Sequence, residues 1–439
     1  MGLYFGTDGL RGVVGSELSF DVAYKCGNAL SSLKNSPTVL IGRDTRVSGE
    51  HLTLAVASGV TAGGGHVVDL GVIPTAGVAY LTRKLGADYG VVISASHNPK
   101  EYNGVKVFDG NGYKLGDKEE ERIERCFIRN KINDFPAIGR FRSEPNYYKK
   151  YEDFLIDSAT QNFQGLTVVL DGANGAACRI APAVFRKLGA FVVASNCSDD
   201  GMKINDACGA LYPETLARRM KRYKADVGFA FDGDADRLIA VSKNGKIIDG
   251  DMILYMLAKH FKEKNRLNAD TVVGTSHTNM AIERALNKAG IEFIRTDIGD
   301  KYVLAKLIEK GLSLGGEQSG HIILKDLHST GDGILTAIAV ADMIVEKGKS
   351  LDELFDVTPY PQVNINVPVF DKLKVMNSQL LSHELAHLQA SIEGKGRIMV
   401  RASGTEPKVR IMVESEDESL NRSYADRLHS IVKKADKEV

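Results

Sequence analysis

The sequence predicts an α/β protein of four domains: three similar α/β domains with mixed, mostly parallel sheets, and a smaller C-terminal α+β domain, set around a central cleft. Three observations carry this expectation. Short apolar runs bounded by glycines and polar loops alternate with amphipathic stretches, the pattern of buried strands covered by helices. A strand–helix–glycine–strand unit recurs three times, as expected of a triplicated βαβ domain. The stretch after Pro359-Tyr360-Pro361 changes character, with long helices flanking two adjacent strands.

The 439 residues exceed what one core holds. Domains of roughly 100–150 residues are usual, so three or four are expected. The boundaries fall at 1–150, 151–250, 251–362 and 363–439, with transitions near 145–160, 245–255 and 360–370. The 56 basic residues balance 56 acidic ones. That argues against a general nucleic-acid or anionic-membrane surface, though a local basic pocket is compatible with it. The hydrophobic fraction of 43% is ordinary for a globular protein. Five cysteines form no CxxC pair and read as reduced thiols of a cytosolic protein. No signal peptide is recognised before the first apolar strand. Ile334–Val345 is too short to span a bilayer and contains Asp342. A soluble, cytoplasmic protein is expected.

In chain order, residues 3–12 (LYFGTDGLRG) read as a tight glycine loop carrying Arg11. A helix is expected over Ser19–Leu33 and a buried strand over Thr38–Gly42. Ser48 caps a helix to Ala62, which Gly63-Gly64-Gly65 ends before a strand over His66–Leu70. A helix over Ala76–Leu85 leads to the strand Tyr89–Ile93. DKEEERIER (117–125) reads as the solvated face of a helix. The second unit runs from a strand at Leu166–Leu170, through a helix to Leu188, to Gly189–Val193. The third has a strand at Asp270–Gly274, a helix at Asn279–Ala289 and a strand at Gly290–Ile294. The last domain should hold one long helix over Lys372–Ile392, strands at Gly396–Arg401 and Lys408–Val413, and a helix over Leu420–Lys434.

Four stretches carry chemistry. After the strand ending at Ile93, SASHNPKEYNGVK presents Ser94, Ser96 and His97 where open α/β sheets bind ligands, and Asn103-Gly104 delivers Lys106. A hydroxyl and a lysine on one rim suit phosphate chemistry, although plain surface serines fit the same run. Phe229–Arg237 ends a buried strand in Asp232, Asp234 and Asp236. Three carboxylates this close repel unless neutralised, and a hard divalent cation such as Mg²⁺ does so. A calcium EF-hand is excluded by Arg237 and Lys243 at its sixth and twelfth positions. In Leu314–His321, glycines bracket Glu317, Ser319 and His321, groups suited to neighbouring sugar hydroxyls; a plain turn is the alternative. In Arg401–Arg410, two arginines and two hydroxyls surround Gly404, suiting a phosphate clamp or merely a polar hairpin. No Walker A loop is complete: Gly348-Lys349-Ser350 has Met343 where the first glycine belongs.

FGTDGLRG, ISASHNPKEYNGVK, DGDADR, GEQSGH and RASGTEPKVR stand in the order found in the α-D-phosphohexomutases, which the whole chain resembles. Ala235 and Ala402 replace a Gly and a Pro common in that family. The resemblance implies a phosphotransferring isomerase of four domains. It implies that Ser96 carries a phosphoryl group and, with Asp232, Asp234 and Asp236, holds one Mg²⁺. Arg11, Lys106 and Arg237 would flank the reacting phosphoryl, with Lys106 and His97 as candidate general bases. Glu317 and Ser319 would bind sugar hydroxyls, joined by His321, Asp300 and Lys301. Arg401, Ser403, Gly404, Thr405 and Arg410 would hold the phosphate that is not reacting. The expected substrates are sugar phosphates, with a hexosamine 1,6-bisphosphate as activator. GEQSGH and the chain length resemble the branch acting on glucosamine phosphates. Members acting on glucose and mannose phosphates more often carry Met at the place of Gln318, and they remain the alternative. A phosphatase using Asp232 as nucleophile and a non-catalytic sugar-phosphate sensor are more distant ones. Neither nucleic acid nor membrane is an expected partner, and a homodimer is the assembly to test.

Overall fold

The computed structural model describes residues 5–6, 9–128, 138–403 and 406–437. The chain divides into two compact units, residues 1–277 with 289–356, and residues 278–288 with 357–439.

The first unit holds three sheets built on one plan. In the first repeat the central strand order is Tyr102–Asp109, Tyr89–Ile93, Thr38–Arg43, His66–Val72. In the second it is Leu238–Ser242, Val227–Phe231, Thr167–Asp171, Phe191–Ser195. In the third it is Ile322–Leu324, Leu314–Gly316, Thr271–Thr275, Glu292–Thr296. Each time three strands run parallel and the last turns back antiparallel. Every residue of Val227–Phe231 and Thr271–Thr275 is buried, as continuous apolar runs require when helices cover both faces. The first sheet gains Phe5–Gly6 and Gly9–Val13 at one edge and Phe141–Ser143 at the other. The second gains Ile247–Ile248.

The second unit contains the antiparallel sheet Gln362–Pro368, Lys408–Ser415, Gly396–Ala402, covered by helices Gln379–Ile392 and Glu418–Lys437. Its core includes Val367, Leu388, Val413 and Leu428. Helix Met280–Lys288 belongs to this unit: the buried Glu414 accepts from Met280 N at 2.5 Å, and Arg397 Nη2 donates to Thr278 O at 2.6 Å.

Three expectations are corrected. Residues 3–12 are not simply a loop: Gly9–Val13 is a strand, because Gly9 (φ +80) lets the chain fold back and pair with Tyr102–Asp109. Thr7 and Asp8 lie outside the described residues. The helix expected over Lys372–Ile392 is two helices, Lys372–Met376 and Gln379–Ile392, because Ser378 takes extended backbone between them. Strand Gln362–Pro368 was not anticipated, although its alternation (QVNINVP) is that of a half-buried strand: Val363 and Val367 are buried and Ile365 packs partly buried against the same core.

Candidate active site

The shared plan puts each chemistry-bearing loop of the three repeats at the same place, the hairpin between the third parallel strand and the returning one. Ser96 lies between Tyr89–Ile93 and Tyr102–Asp109, the aspartates between Val227–Phe231 and Leu238–Ser242, and Glu317 between Leu314–Gly316 and Ile322–Leu324.

Ser96 is buried and takes φ 52, a left-handed conformation uncommon outside glycine. Its backbone is clamped on both sides. The N–H donates to Ser94 Oγ at 2.8 Å, and Ser94 Oγ donates to Asp44 Oδ2 at 2.6 Å. The carbonyl accepts from Arg46 Nη2 at 2.9 Å and Asn205 Nδ2 at 2.8 Å. Asp44 and Arg46 form a fully buried ion pair at 3.0 Å. Ser96 Oγ donates to Asp232 Oδ2 at 2.6 Å and lies 3.2 Å from His97 Nδ1. The two loops, 136 residues apart in sequence, therefore meet at one hydroxyl.

Asp232, Asp234 and Asp236 are all buried and bring a carboxylate oxygen each within 4.8 Å of one another. Burial, then the charges of Asp236 and Asp234, hold the Asp232 carboxyl well above the usual range. Lys106 Nζ answers part of this charge at 3.0 Å from Asp234 Oδ2 and 3.4 Å from Asp236 Oδ2. Thr75 Oγ1 donates to Asp234 Oδ2 at 2.7 Å. Asp236 Oδ1 is buried without a hydrogen bond, 3.8 Å from Arg237 Nε. Three crowded oxygen donors with charge left to balance fit a hard divalent cation. His97 is pushed down to about 4, first by burial and then by Arg237 and Arg11, so its imidazole is neutral near pH 7. Arg11 Nη1 reaches Asn98 Oδ1 at 3.4 Å.

The third hairpin stacks on the second: Leu238 N donates to Gly320 O at 3.0 Å. Glu317 Oε1 accepts from Gly299 N at 3.0 Å, and Ser319 is exposed. Asp300 pairs with Lys114 and stands 3.7 Å from His321 Nε2; Lys301 Nζ pairs with Asp117 at 2.8 Å. Asp300 and Lys301 thus tie the third repeat to the first. Gln318 Nε2 reaches Asp249 Oδ2 at 3.4 Å.

In the second unit Arg401 and Arg410 stand opposite across paired strands, and Arg410 Nη2 lies 3.5 Å from Ser403 Oγ. Burial and then the like charge of Arg410 lower the Arg401 pKa, which is the electrostatics of a site wanting an anion. Gly404 and Thr405 lie outside the described residues.

Sequence reasoning missed Thr75, Asp44, Arg46 and Asn205. The run Arg43-Asp44-Thr45-Arg46 directly after a buried strand was a usable signal for two of them. Nothing local marks Asn205.

Comparisons with known proteins agree with the fold and the order of its domains. Four family models match in chain order: "Phosphoglucomutase/phosphomannomutase, alpha/beta/alpha domain I" over residues 2–133, domain II over 145–245, domain III over 249–360 and the C-terminal domain over 365–430. The phosphoglucosamine mutase of Clostridioides difficile is 44% identical over 440 residues, covering 98% of each chain. That of Bacillus subtilis is 43% identical over 442 residues, covering 99% of each. Among solved structures, a phosphoglucomutase/phosphomannomutase family protein from Burkholderia thailandensis superposes with TM-score 0.83 at 26% identity, covering 98% of this chain and 97% of that one. Aspergillus fumigatus N-acetylphosphoglucosamine mutase, in complex with GlcNAc-6P and magnesium, shares the fold with TM-score 0.71 at 19% identity, covering 99% and 96%.

Proposed function

The chain belongs to the phosphoglucomutase/phosphomannomutase family, the α-D-phosphohexomutases, and from that premise we propose that it interconverts glucosamine 6-phosphate and glucosamine 1-phosphate. It is an isomerase of the phosphohexomutase class, most like phosphoglucosamine mutases. The observation that carries the site reading is the Ser96 hydroxyl held at 2.6 Å on Asp232, beside Lys106.

In this reading Ser96 enters the cycle as phosphoserine and gives its phosphoryl to the sugar O1. The 1,6-bisphosphate turns over within the site, and Ser96 Oγ takes the phosphoryl back from O6. Such transfer depends on alignment and charge neutralisation. Asp232, Asp234, Asp236 and the serine oxygen would hold Mg²⁺, which supplies Lewis-acid neutralisation when bound. Lys106, Arg237 and Arg11 neutralise the reacting phosphoryl from the protein side. His97 or Lys106 takes the proton from the sugar hydroxyl. Glu317, Ser319, His321, Asp300 and Lys301 orient the sugar, while Arg401, Ser403, Gly404, Thr405 and Arg410 grip the resting phosphate. A hexosamine 1,6-bisphosphate restores phosphoserine when the intermediate escapes. The enzyme works in the cytoplasm on precursors of the cell envelope, and we take a homodimer as the assembly to examine.

The sugar preference rests on the relatives more than on Gln318, whose amide turns to Asp249. The deciding measurement compares kcat/KM for glucosamine, glucose and mannose 6-phosphates with Mg²⁺ and trace hexose 1,6-bisphosphate. A clear glucosamine preference is expected, lost in Ser96→Ala. A glucose or mannose preference overturns the substrate assignment, and full activity in Ser96→Ala overturns the phosphoserine.

A further inference from the structure

Two of the cysteines face each other outside the aspartate site. Cys178 lies in the first turn of helix Ala177–Lys187, and Cys197 lies just beyond strand Phe191–Ser195. Both elements converge on Gly172, which follows strand Thr167–Asp171. A Cβ at Gly172 would stand 2.6 Å from Cys178 Sγ and 2.8 Å from Cys197 Sγ, so the missing side chain is what lets the thiols meet. The two sulfurs flank the same vacant position beside the Gly172 Cα. Cys178 Sγ also lies 3.5 Å from the Gly172 and Asn196 carbonyl oxygens, and Cys197 Sγ lies 3.2 Å from that of Ser195.

The pair is accessible. Both residues are half-buried and line a cleft of about 960 Å³ together with Arg43, Arg179, Ser198 and Asp200. That volume admits a small organic ligand. The two thiols are also unequal. The contact with Cys178 lowers the Cys197 pKa, and the same contact, with burial, raises that of Cys178. A more easily ionised thiol beside a protonated one is the arrangement that thiol–disulfide exchange uses. By contrast Cys26 and Cys208 are buried, and burial pushes both up to about 12.

We propose that Cys178 and Cys197 form a reversible redox site that exchanges with low-molecular-weight disulfides of the glutathione type. The Cys197 thiolate attacks one sulfur of the small disulfide, breaking its S–S bond and releasing one thiolate, which takes up a proton. Cys178 gives up its proton and attacks the Cys197 sulfur of the mixed disulfide, and the second small thiol leaves. Two protein thiols are oxidised to one disulfide while the small disulfide is reduced to two thiols. The site adjoins the aspartate loop: between Gly172 and Cys178, Ala176 N donates to Gly233 O at 2.9 Å.

The full chain is equilibrated in glutathione buffers of graded reduced-to-oxidised ratio, acid-quenched, alkylated and digested for mass spectrometry. The expected result is joint loss of alkylated Cys178 and Cys197 and appearance of their linked peptides, reversed by dithiothreitol. Cys26 and Cys208 stay free throughout. In Cys178→Ser, Cys197 stops at the mixed disulfide. The proposal is overturned if both thiols stay alkylatable across the series, if Cys197 of the unsubstituted chain stops at the mixed disulfide, or if it links to Cys208. The titration of the unsubstituted chain decides even where a serine variant folds poorly.

Discussion

At Ser96 a serine sits where a side chain costs about 1–2 kcal/mol over ordinary backbone. The neighbours hold it there: Arg46 and Asn205 on its carbonyl, Ser94 on its N–H. Such strain persists only where the surroundings over-determine it. Asn205 also donates to Asn98 O at 3.1 Å, so it pins both ends of the Ser96 turn. Asn205→Ala should therefore let the hydroxyl wander from Asp232. A fall in kcat of roughly tenfold to a hundredfold is expected with KM little changed. A raised KM at unchanged kcat would show that Asn205 serves substrate binding and not serine placement. The serine and the aspartates were legible as single residues because each follows a buried strand, and Lys106 because the Asn103-Gly104 turn places it on the next strand. Their supports were not, because a clamp residue carries no local mark.

One hairpin, used three times, is the element that builds the site. Its packing leaves no room for side chains at certain glycines. Gly320 takes φ +92, and a Cβ there would run into the carbonyl of Leu238, the residue whose N–H joins the second and third hairpins through Gly320 O. Gly311 takes φ +66 at a helix end with nothing within 4 Å. The two positions separate clash from strain. Gly311→Ala should cost about 1 kcal/mol, and Gly320→Ala clearly more, with a higher KM for sugar phosphate because Glu317 shares its loop. Denaturant unfolding and steady-state kinetics on both variants test this. Equal costs would mean that the stacking of the hairpins is soft. The recurring strands were readable from their apolar runs. The break at Ser378 was missed because the helical pattern continues on both sides of it.

Across the first unit, the repeats are joined by buried polar groups as well as by apolar contact. His328 is fully buried; its Nδ1 accepts from Thr330 N at 3.3 Å, so Nε2 donates to Ala76 O at 3.0 Å. Tyr80 and Phe154 flank the ring. Burial, then Arg83, pushes His328 down to about 3. Its folded pKa lies below the unfolded value near 6.5, so the unfolded chain binds the extra proton first. Stability is therefore kept above about pH 6.5 and lost as pH falls toward 3, by roughly 2 kcal/mol at pH 5. Melting curves between pH 7 and pH 5 should steepen for the natural chain relative to His328→Gln, whose amide can serve both partners. Parallel curves would place the acid sensitivity elsewhere. Taken alone, the sequence determined the α/β class, the triplication, the separate character of the last stretch and which loops are the candidates for chemistry. Strand runs, glycine turns and clustered aspartates are local features, written in consecutive residues. Only the tertiary structure decided that Ser96 meets Asp232, that Asp300 and Lys301 pair with the first repeat, that helix Met280–Lys288 joins the C-terminal unit, and that Cys178 meets Cys197 over Gly172. Each of those depends on which distant segments pack together, and no window of consecutive residues encodes that choice.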